Sequence, residues 1–374
     1  MNNVPKIRFK HFSDYWKSDK LGKLGTVAMN KRIFKEETSE VGEVPFYKIG
    51  TFGGEPDSFI TRNKFEEYKS KFPYPEIGDI LISASGSIGR IVEYQGEEAY
   101  FQDSNIVWLK HDERLDNSFL KQFYSIVKWQ GVEGTTIKRL YNKNILETPI
   151  GLPSISEQSA IGSLFRTIDD LLVSYKDNLA NYQSLKTTML SKMFPKAGQT
   201  VPEIRLDGFE GEWERKSLSE VCTINSGRDY KHLKDGDIPV YGTGGYMLSV
   251  NEKLSDKDAI GIGRKGTIDK PYLLSAPFWT VDTLFYVTCK GGYDLNYLFL
   301  IFQQVRWKKF DESTGVPSLS KKTIEKVVSK FPSLSEQQAI GAYFSNLDNL
   351  INSYQEKISQ IETLKKKLLQ DMFI

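Results

Sequence analysis

Cysteine is nearly absent from this chain. Two occur in 374 residues, Cys222 and Cys289, far apart in sequence and outside any C-x-x-C pair, so a disulfide framework is not expected and a reducing cytoplasm fits best. Histidine is as scarce. His11, His111 and His232 have no metal-ligand spacing with each other or with cysteine, which argues against a histidine-built metal centre. No stretch approaches the ~20 apolar residues that span a bilayer, and the opening residues lack the apolar core of a signal peptide. Charge of one sign is missing too: 50 basic against 48 acidic residues leave +2, with no acidic or basic tail. A dedicated nucleic-acid binder often carries a plain positive excess, so any such footprint must be local or shared with a partner. What the chain has in quantity is aromatic residues, 13%, within 39% hydrophobic residues, enough for two or more cores at this length.

The chain repeats itself. Val4-Pro-Lys-Ile-Arg-Phe, followed by Phe12, Trp16 and Leu21, returns 197 positions later as Val201-Pro-Glu-Ile-Arg-Leu with Phe209, Trp213 and Leu218. Pro153-Ser-Ile-Ser-Glu-Gln-Ser-Ala-Ile-Gly returns 179 positions later as Pro332-Ser-Leu-Ser-Glu-Gln-Gln-Ala-Ile-Gly, and 18 of 42 positions are identical from there to Phe194 and Phe373. The offsets differ by 18, which places an insertion in the first copy between Trp16 and Asp79. The middles match loosely: Gly78-Asp-Ile-Leu-Ile-Ser-Ala-Ser-Gly faces Lys257-Asp-Ala-Ile-Gly-Ile-Gly-Arg-Lys-Gly. A shared frame around divergent centres suits one scaffold presenting two different reading heads.

The frame reads as a long helix. Ser154 with Glu157, and Ser333 with Glu336, have capping-box spacing. Apolar residues then recur in steps of four and three. The first seam runs through Ile161, Phe165, Ile168, Leu172, Tyr175, Leu179, Tyr182, Lys186, Met189 and Met193. The second runs through Ile340, Phe344, Leu347, Ile351, Tyr354, Ile358, Ile361, Lys365, Leu368 and Met372. This is a coiled-coil seam of about five heptads, roughly 60 Å long. The economical burial is each helix on the other, antiparallel; the alternative is that each pairs with another protein. Lys186 and Lys365 share one seam position, which means local solvation or a register device.

The centres carry strand-like runs at 79–83, 105–110, 237–241, 258–262 and 284–288. Amphipathic helices follow over 117–129 and 295–307, each ending at a matched tryptophan, Trp129 and Trp307. The expected fold is α+β: two mixed α/β domains over 1–152 and 198–331, each followed by a long helix over 153–197 and 332–374. The two helices pair as an antiparallel intramolecular coiled coil within a pseudo-two-fold repeat. Trp16, Trp213, Trp129 and Trp307 repeat with the frame and read as core staples.

Gly261-Ile-Gly-Arg-Lys-Gly266 matches G-x-G-x-x-G, but Pro271 follows and no helical pattern does, so a glycine turn between strands is the better reading. Paired carboxylates such as Glu36-Glu37, Glu66-Glu67 and Glu97-Glu98 read as solvated charge. Local basic clusters remain. In the first centre they are Lys31, Arg32 and Lys35, with Lys138 and Arg139; Ser85, Ser87, Gln102, Ser104 and Asn105 are small polar candidates beside them. In the second they are Arg228, Lys231, His232 and Lys234, with Arg264 and Lys265 on the glycine turn, and Lys321 and Lys322 echoing the Lys138 group. Arginine pairs bidentately with guanine, Asn and Gln with adenine, and lysine or hydroxyls with phosphate. A basic run on a balanced surface is otherwise only solvated charge.

The opening at Val201 through Trp213, the central Gly78-Asp-Ile-Leu-Ile with Gly86-Ser-Ile-Gly, and the twice-used Pro-Ser-x-Ser-Glu-Gln-x-Ala-Ile-Gly resemble the DNA specificity subunits of type I restriction–modification systems. The likeness covers nearly the whole chain in the right order and number. The first opening, Lys10-His-Phe-Ser-Asp-Tyr-Trp, departs by lacking the glycines of the second. The resemblance implies two target-recognition domains, each reading one half of a split, asymmetric site in double-stranded DNA, with helices whose residue count fixes the gap. It implies no catalysis or cofactor in this chain, and no Asn- or Asp-Pro-Pro-aromatic tetrapeptide of an adenine methylase is present. The implied partners are two modification subunits, which bind S-adenosylmethionine and methylate adenine, and restriction subunits that use ATP and Mg2+ to translocate and cut. The same subunit serving a fused methylase–nuclease is a near alternative. A protein scaffold without a DNA role and a free-standing enzyme are the other classes.

Overall fold

The computed structural model describes residues 4–134 and 138–373 and divides into two compact units, residues 1–176 with 357–374, and residues 177–356.

The first unit begins with β1 (Lys17–Lys20), β2 (Gly25–Ala28), β3 (Val44–Tyr47), β4 (Phe59–Ile60) and α1 (Arg62–Lys71). β5 (Ile80–Ser83), β6 (Ile91–Glu93), β7 (Tyr100–Phe101), β8 (Ile106–His111), α2 (Asn117–Ile126), α3 (Asn142–Glu147) and β9 (Pro149–Leu152) follow, and α4 (Ile155–Lys192) starts here. A four-stranded antiparallel sheet has the order β2-β8-β5-β6. A three-stranded sheet has the order β4-β3-β7, with β3 and β7 parallel, and β1 pairs with β9. The second unit contains β10 (Glu214–Ser217), α5 (Leu218–Val221), β11 (Cys222–Ser226), β12 (Asp235–Gly242), β13 (Gly245–Val250), β14 (Ala259–Gly263), β15 (Tyr272–Leu274), β16 (Trp279–Thr280) and β17 (Leu284–Cys289). α6 (Leu295–Gln304), α7 (Lys321–Glu325), β18 (Val328–Phe331) and the start of α8 (Leu334–Met372) complete it. Its sheets repeat the first: β11-β17-β14-β15, β13-β12-β16 with β12 and β16 parallel, and β10 with β18. The main structural insertion of the first unit is α1. It brings Phe65 into a small core of its own with Ile33, Val44, Phe46, Ile60 and Tyr100.

The runs expected as strands are strands, but the helices α2 and α6 stop at Ile126 and Gln304, short of the tryptophans. Trp129 packs half-buried from the following loop. Trp307 opens a single 3-10 turn and donates its indole N–H to Phe302 O at 2.7 Å. Trp16, Trp213 and Trp307 are buried in their cores. The two cysteines, remote in sequence, are register partners across β11 and β17; they are free thiols, and burial pushes each up to about 12.

The repeated Ser-Glu-Gln-x-Ala-Ile-Gly motif is a junction between α4 or α8 and its domain. Ser154 and Ser333 accept from the backbone N–H of Glu157 and Glu336 at 3.3 and 3.4 Å, which is half of the expected capping box. The return half is not made. The Glu157 carboxylate instead takes Arg8 in a two-pronged bond, 2.7 Å on each prong, and Glu336 takes Arg205 at 2.8 and 2.7 Å. An arginine fork matches a carboxylate better than one backbone amide does. Gln158 accepts from Asp116 N–H and donates to the carbonyls of Arg114 and Pro153, and Gln337 ties Asp294 N–H to Pro332 O in the same way. Asp116 and Asp294 are themselves the N-caps of α2 and α6. Gly162 and Gly341 complete the junction. A β-carbon would lie 1.8 Å from Ser118 Oγ at the first and 2.6 Å from Asp294 Oδ1 at the second.

Within the first unit the start of α4 lies antiparallel to the end of α8. Phe165 meets Phe373, Asp169 pairs with Lys365 at 2.5 Å, and Lys176 with Glu362 at 2.7 Å. Within the second unit the end of α4 meets the start of α8 through Tyr182 with Tyr354, Lys186 with Asp348 at 2.6 Å, and Phe194 with Phe344. Each seam lysine therefore has an aspartate on the facing helix.

Candidate nucleic-acid interface

Three segments of the first unit are stitched together by backbone bonds. Ala84 N–H donates to Asn105 O, Leu140 N–H to Ala84 O, and Gly86 N–H to Lys138 O. The turn after β5 bends back through Gly86 and Gly89, both in the left-handed region that favours glycine, and Ser83 Oγ closes it onto Ser87 O. Ser85 is buried and its hydroxyl is spent on Asn105 Oδ1 at 2.6 Å. Gln102 turns inward to accept from Ile49 N–H. These two brace the site from within. Ser87, Lys138 and Arg139 face solvent on it, with Asn105 half-buried. Arg32 reaches the rim through Asp103 at 2.9 Å, beside Ser104 at φ 59°. Lys31 lies over the Phe72 ring at the end of α1; Lys35 is exposed on a turn that Glu37 ties to α1 through Lys64.

The second unit makes the same stitch with other side chains. Arg264 N–H donates to Thr283 O, Leu319 N–H to Arg264 O, and Gly266 N–H to Pro317 O. The G-x-G-x-x-G segment is thus the end of β14 and its turn, with β15 after it and no helix. Ser226, Arg264, Lys265, Phe285, Ser318, Leu319, Ser320 and Lys321 line an open groove of about 490 Å³. Arg264 sits over the Phe285 ring and donates to Asp282 O. Arg228 adjoins through its N–H to Thr280 O, and its own carbonyl takes the Trp279 indole N–H. His232 lies edge-on to Trp279, and Lys234 is held by Asn251.

The stitch corrects one correspondence. Ser318 occupies the place of Arg139, since they bridge Lys265 and Ser85 respectively, so Lys321 and Lys322 at the start of α7 match Asn142 and Lys143 of α3 rather than the Lys138 group. At the centre of the turn, Ala84 and Ser85 in the first unit stand where Arg264 and Lys265 stand in the second. The scaffold is common and the presented chemistry differs.

Among the described residues, Lys35, Lys138, Arg139, Arg228, Lys231, Lys234, Lys265 and Lys322 make no ion pair with a carboxylate, whereas Arg32 and Lys321 are paired with Asp103 and Glu325. Solvated cations gathered on loops that a rigid sheet positions can take phosphate oxygens, while arginine and amide groups can meet base edges. Sequence reasoning missed the hydroxyls of Ser318 and Ser320, which reach the groove only through the stitch. It also missed the half-exposed aromatic and thioether groups of the β12–β13 hairpin, whose signal was a Tyr-Met pair directly after a glycine turn. Among the described residues no group of three or more His, Cys, Asp or Glu has a metal-binding arrangement, and no helix is long and apolar enough to cross a membrane.

Comparison with known proteins bears on this geometry. A family model described as the type I restriction modification DNA specificity domain matches twice, over residues 13–182 and 210–363. A chain of Haemophilus influenzae named as a type I restriction enzyme specificity subunit is 51% identical over 160 residues, which is 42% of this chain and 42% of that one. The match thus spans less than half of that relative. A type I restriction enzyme specificity subunit of Methanocaldococcus jannaschii is 23% identical over 82% of this chain and 81% of its own. The crystal structure of a type I restriction-modification system S subunit from M. genitalium superposes with a TM-score of 0.70 at 19% identity, covering 99% of each chain, and so shares the fold.

Proposed function

The chain belongs to the type I restriction modification DNA specificity family, and from that premise we propose that it is the non-catalytic DNA-reading subunit of a type I restriction–modification complex. Each unit reads one half of a bipartite, asymmetric site in duplex DNA. The observation that carries this reading is the duplicated stitch: one backbone scaffold, used twice, presents Ser87, Asn105, Lys138 and Arg139 in one unit and Arg228, Arg264, Lys265 and Lys321 in the other. Two identical readers would favour a symmetric site. The long helices set the spacer, because helix length follows residue count.

The chemistry belongs to partners in this reading. Two modification subunits bind S-adenosylmethionine and methylate adenine N6 in a flipped base, and restriction subunits use ATP and Mg2+. The complex works in the cytoplasm. A partner that clamps phosphates accounts for a net charge of only +2 on this chain. Co-expression with a modification subunit from the same host, followed by mapping of N6-methyladenine across the host genome, tests the proposal. One bipartite motif that disappears when this chain is omitted is the expected result. Unchanged methylation with an assembled complex would sink it.

A further inference from the structure

The second unit exposes an apolar pair that a purely basic surface does not account for. β12 and β13 form a hairpin, and Tyr246 and Met247, directly after its turn, are 63% and 49% exposed. The pairing register slips at this point. Val240 faces Leu248 while Tyr241 faces Tyr246, so Met247 is the extra residue of a β-bulge. Bulges re-aim side chains and mark strands bent for a purpose. The Met247 side chain lies against Gly242, where a β-carbon would lie 2.7 Å from its Sδ and 3.6 Å from Val281 Cγ2.

The tip borders the basic turns. Val281 N–H donates to Tyr241 O, and the next carbonyl, Asp282 O, accepts from Arg264. Thr243 lies beside Gly266 of the Arg264–Lys265 turn. Arg228 N–H bonds to Thr280 O, one residue before Val281. The hairpin that carries the exposed tyrosine and methionine therefore adjoins the segments that carry Arg228 and Lys265, neither of which makes an ion pair with a carboxylate among the described residues. Among its described residues the first unit has no such tip. There β3 and β4 pair regularly, Val44 with Ile60 and Pro45 with Phe59, and the connection between them buries Phe52 in the core.

An apolar probe beside cationic segments matches duplex DNA: phosphates engage the cations, and hydrocarbon in a groove is offered chiefly by the thymine methyl group and by base faces at an opened step. We propose that Tyr246 and Met247 form an apolar base-reading element of the second unit, which contacts thymine-bearing base pairs of its half-site while Arg228, Arg264 and Lys265 hold the backbone. This rests on the reading of the second unit as a DNA-recognition unit.

The test uses the full chain with its co-expressed methylase and maps N6-methyladenine on the host genome for the double variant Tyr246→Ala/Met247→Ala. Both side chains are exposed, so melting and co-purification with the methylase should be unchanged. The expected result is loss of discrimination at one or two positions in one half of the motif, on the order of tenfold at each, with the other half untouched. Met247→Leu alone should keep the motif. An unchanged motif overturns the proposal. So does failure to co-purify at unaltered melting temperature, which would make the tip a protein contact. Arg264→Ala/Lys265→Ala is the separate check on the underlying reading. It should weaken DNA binding by the complex and flatten its salt dependence at every sequence. If it changes neither, the second unit is not a DNA face, and that reading fails irrespective of the hairpin.

Discussion

Glu157 shows what a single residue of the repeated frame does. Its side chain is 1% exposed and that of Arg8 is 11% exposed, so each ion depends on the other for the solvation it has lost. Replacing such a pair with apolar residues can be neutral, but removing one member strands a buried charge at a cost of about 3–5 kcal/mol. Glu157→Ala is therefore expected to lower the stability of the first unit by that amount, and Glu336→Ala to do the same in the second, where Arg205 is the stranded partner. Glu157→Gln keeps an acceptor for the guanidinium and should cost less. Urea unfolding of the full chain measures this, and a loss below about 1 kcal/mol for Glu157→Ala would mean that Arg8 finds water instead. The sequence announces these glutamates as capping residues because Ser-x-x-Glu is a local pattern. Their real partners lie 149 and 131 residues away, and nothing local encodes that distance.

At the scale of elements, the parts most legible in sequence are those with a period. The four-three step of apolar residues marks α4 and α8, glycine-bounded apolar runs mark the central strands, and the duplication itself marks the two units. Less legible is whatever depends on a neighbour from another segment: the stitch that draws Ser318 into the Arg264 groove, the burial of Ser85 behind Asn105, and the bulge at Met247. The seam lysines lie between these cases. Their position is plain in the heptads, but their role appears only when Asp169 faces Lys365 and Asp348 faces Lys186. Any one-turn slip of the helices would separate these charges from their partners and set lysine against an apolar seam, so the pairs define register. The ions of the first pair are 26% and 30% exposed, which limits the pair to roughly 1 kcal/mol. Asp169→Lys should destabilise by somewhat more than that, since it adds repulsion, and Asp169→Lys with Lys365→Asp should recover most of the loss. A double-mutant cycle of thermal melts reads the coupling. A coupling energy near zero would leave the apolar residues alone to set the register.

For the chain as a whole, the duplication makes a statement about connectivity. In the second unit the polypeptide runs without a break from the end of α4 into the segment leading to β10. There Ile204 N–H bonds to Lys192 O at 3.0 Å, and the Phe194 ring meets Trp213 edge-on and stacks on Tyr297. In the first unit the corresponding contacts are made by opposite ends of the sequence. Ile7 N–H bonds to Asp371 O at 2.9 Å, and Phe373 meets Trp16 edge-on and stacks on Phe119. The second unit thus supplies the template for a peptide joining Phe373 to Val4, namely a copy of the segment from Pro195 to Thr200. A chain joined that way can be opened between Gly198 and Gln199, where Gly198 stands at φ 82° with open space around it. The opening frees one end of a segment whose Lys196 and Gln199 carbonyls accept from Lys330, so a modest loss is expected, on the order of 1 kcal/mol in the second unit. The permuted chain should fold, melt within several degrees of the parent, and direct methylation to the same motif with both halves intact, because neither stitch nor either helix seam is cut. Genome-wide methylation mapping with the permutant in place of the parent decides it. If the permutant folds but reads only the half that belongs to one unit, the contacts at residues 195–200 do more than connect, and the equivalence of the two junctions is confined to their geometry.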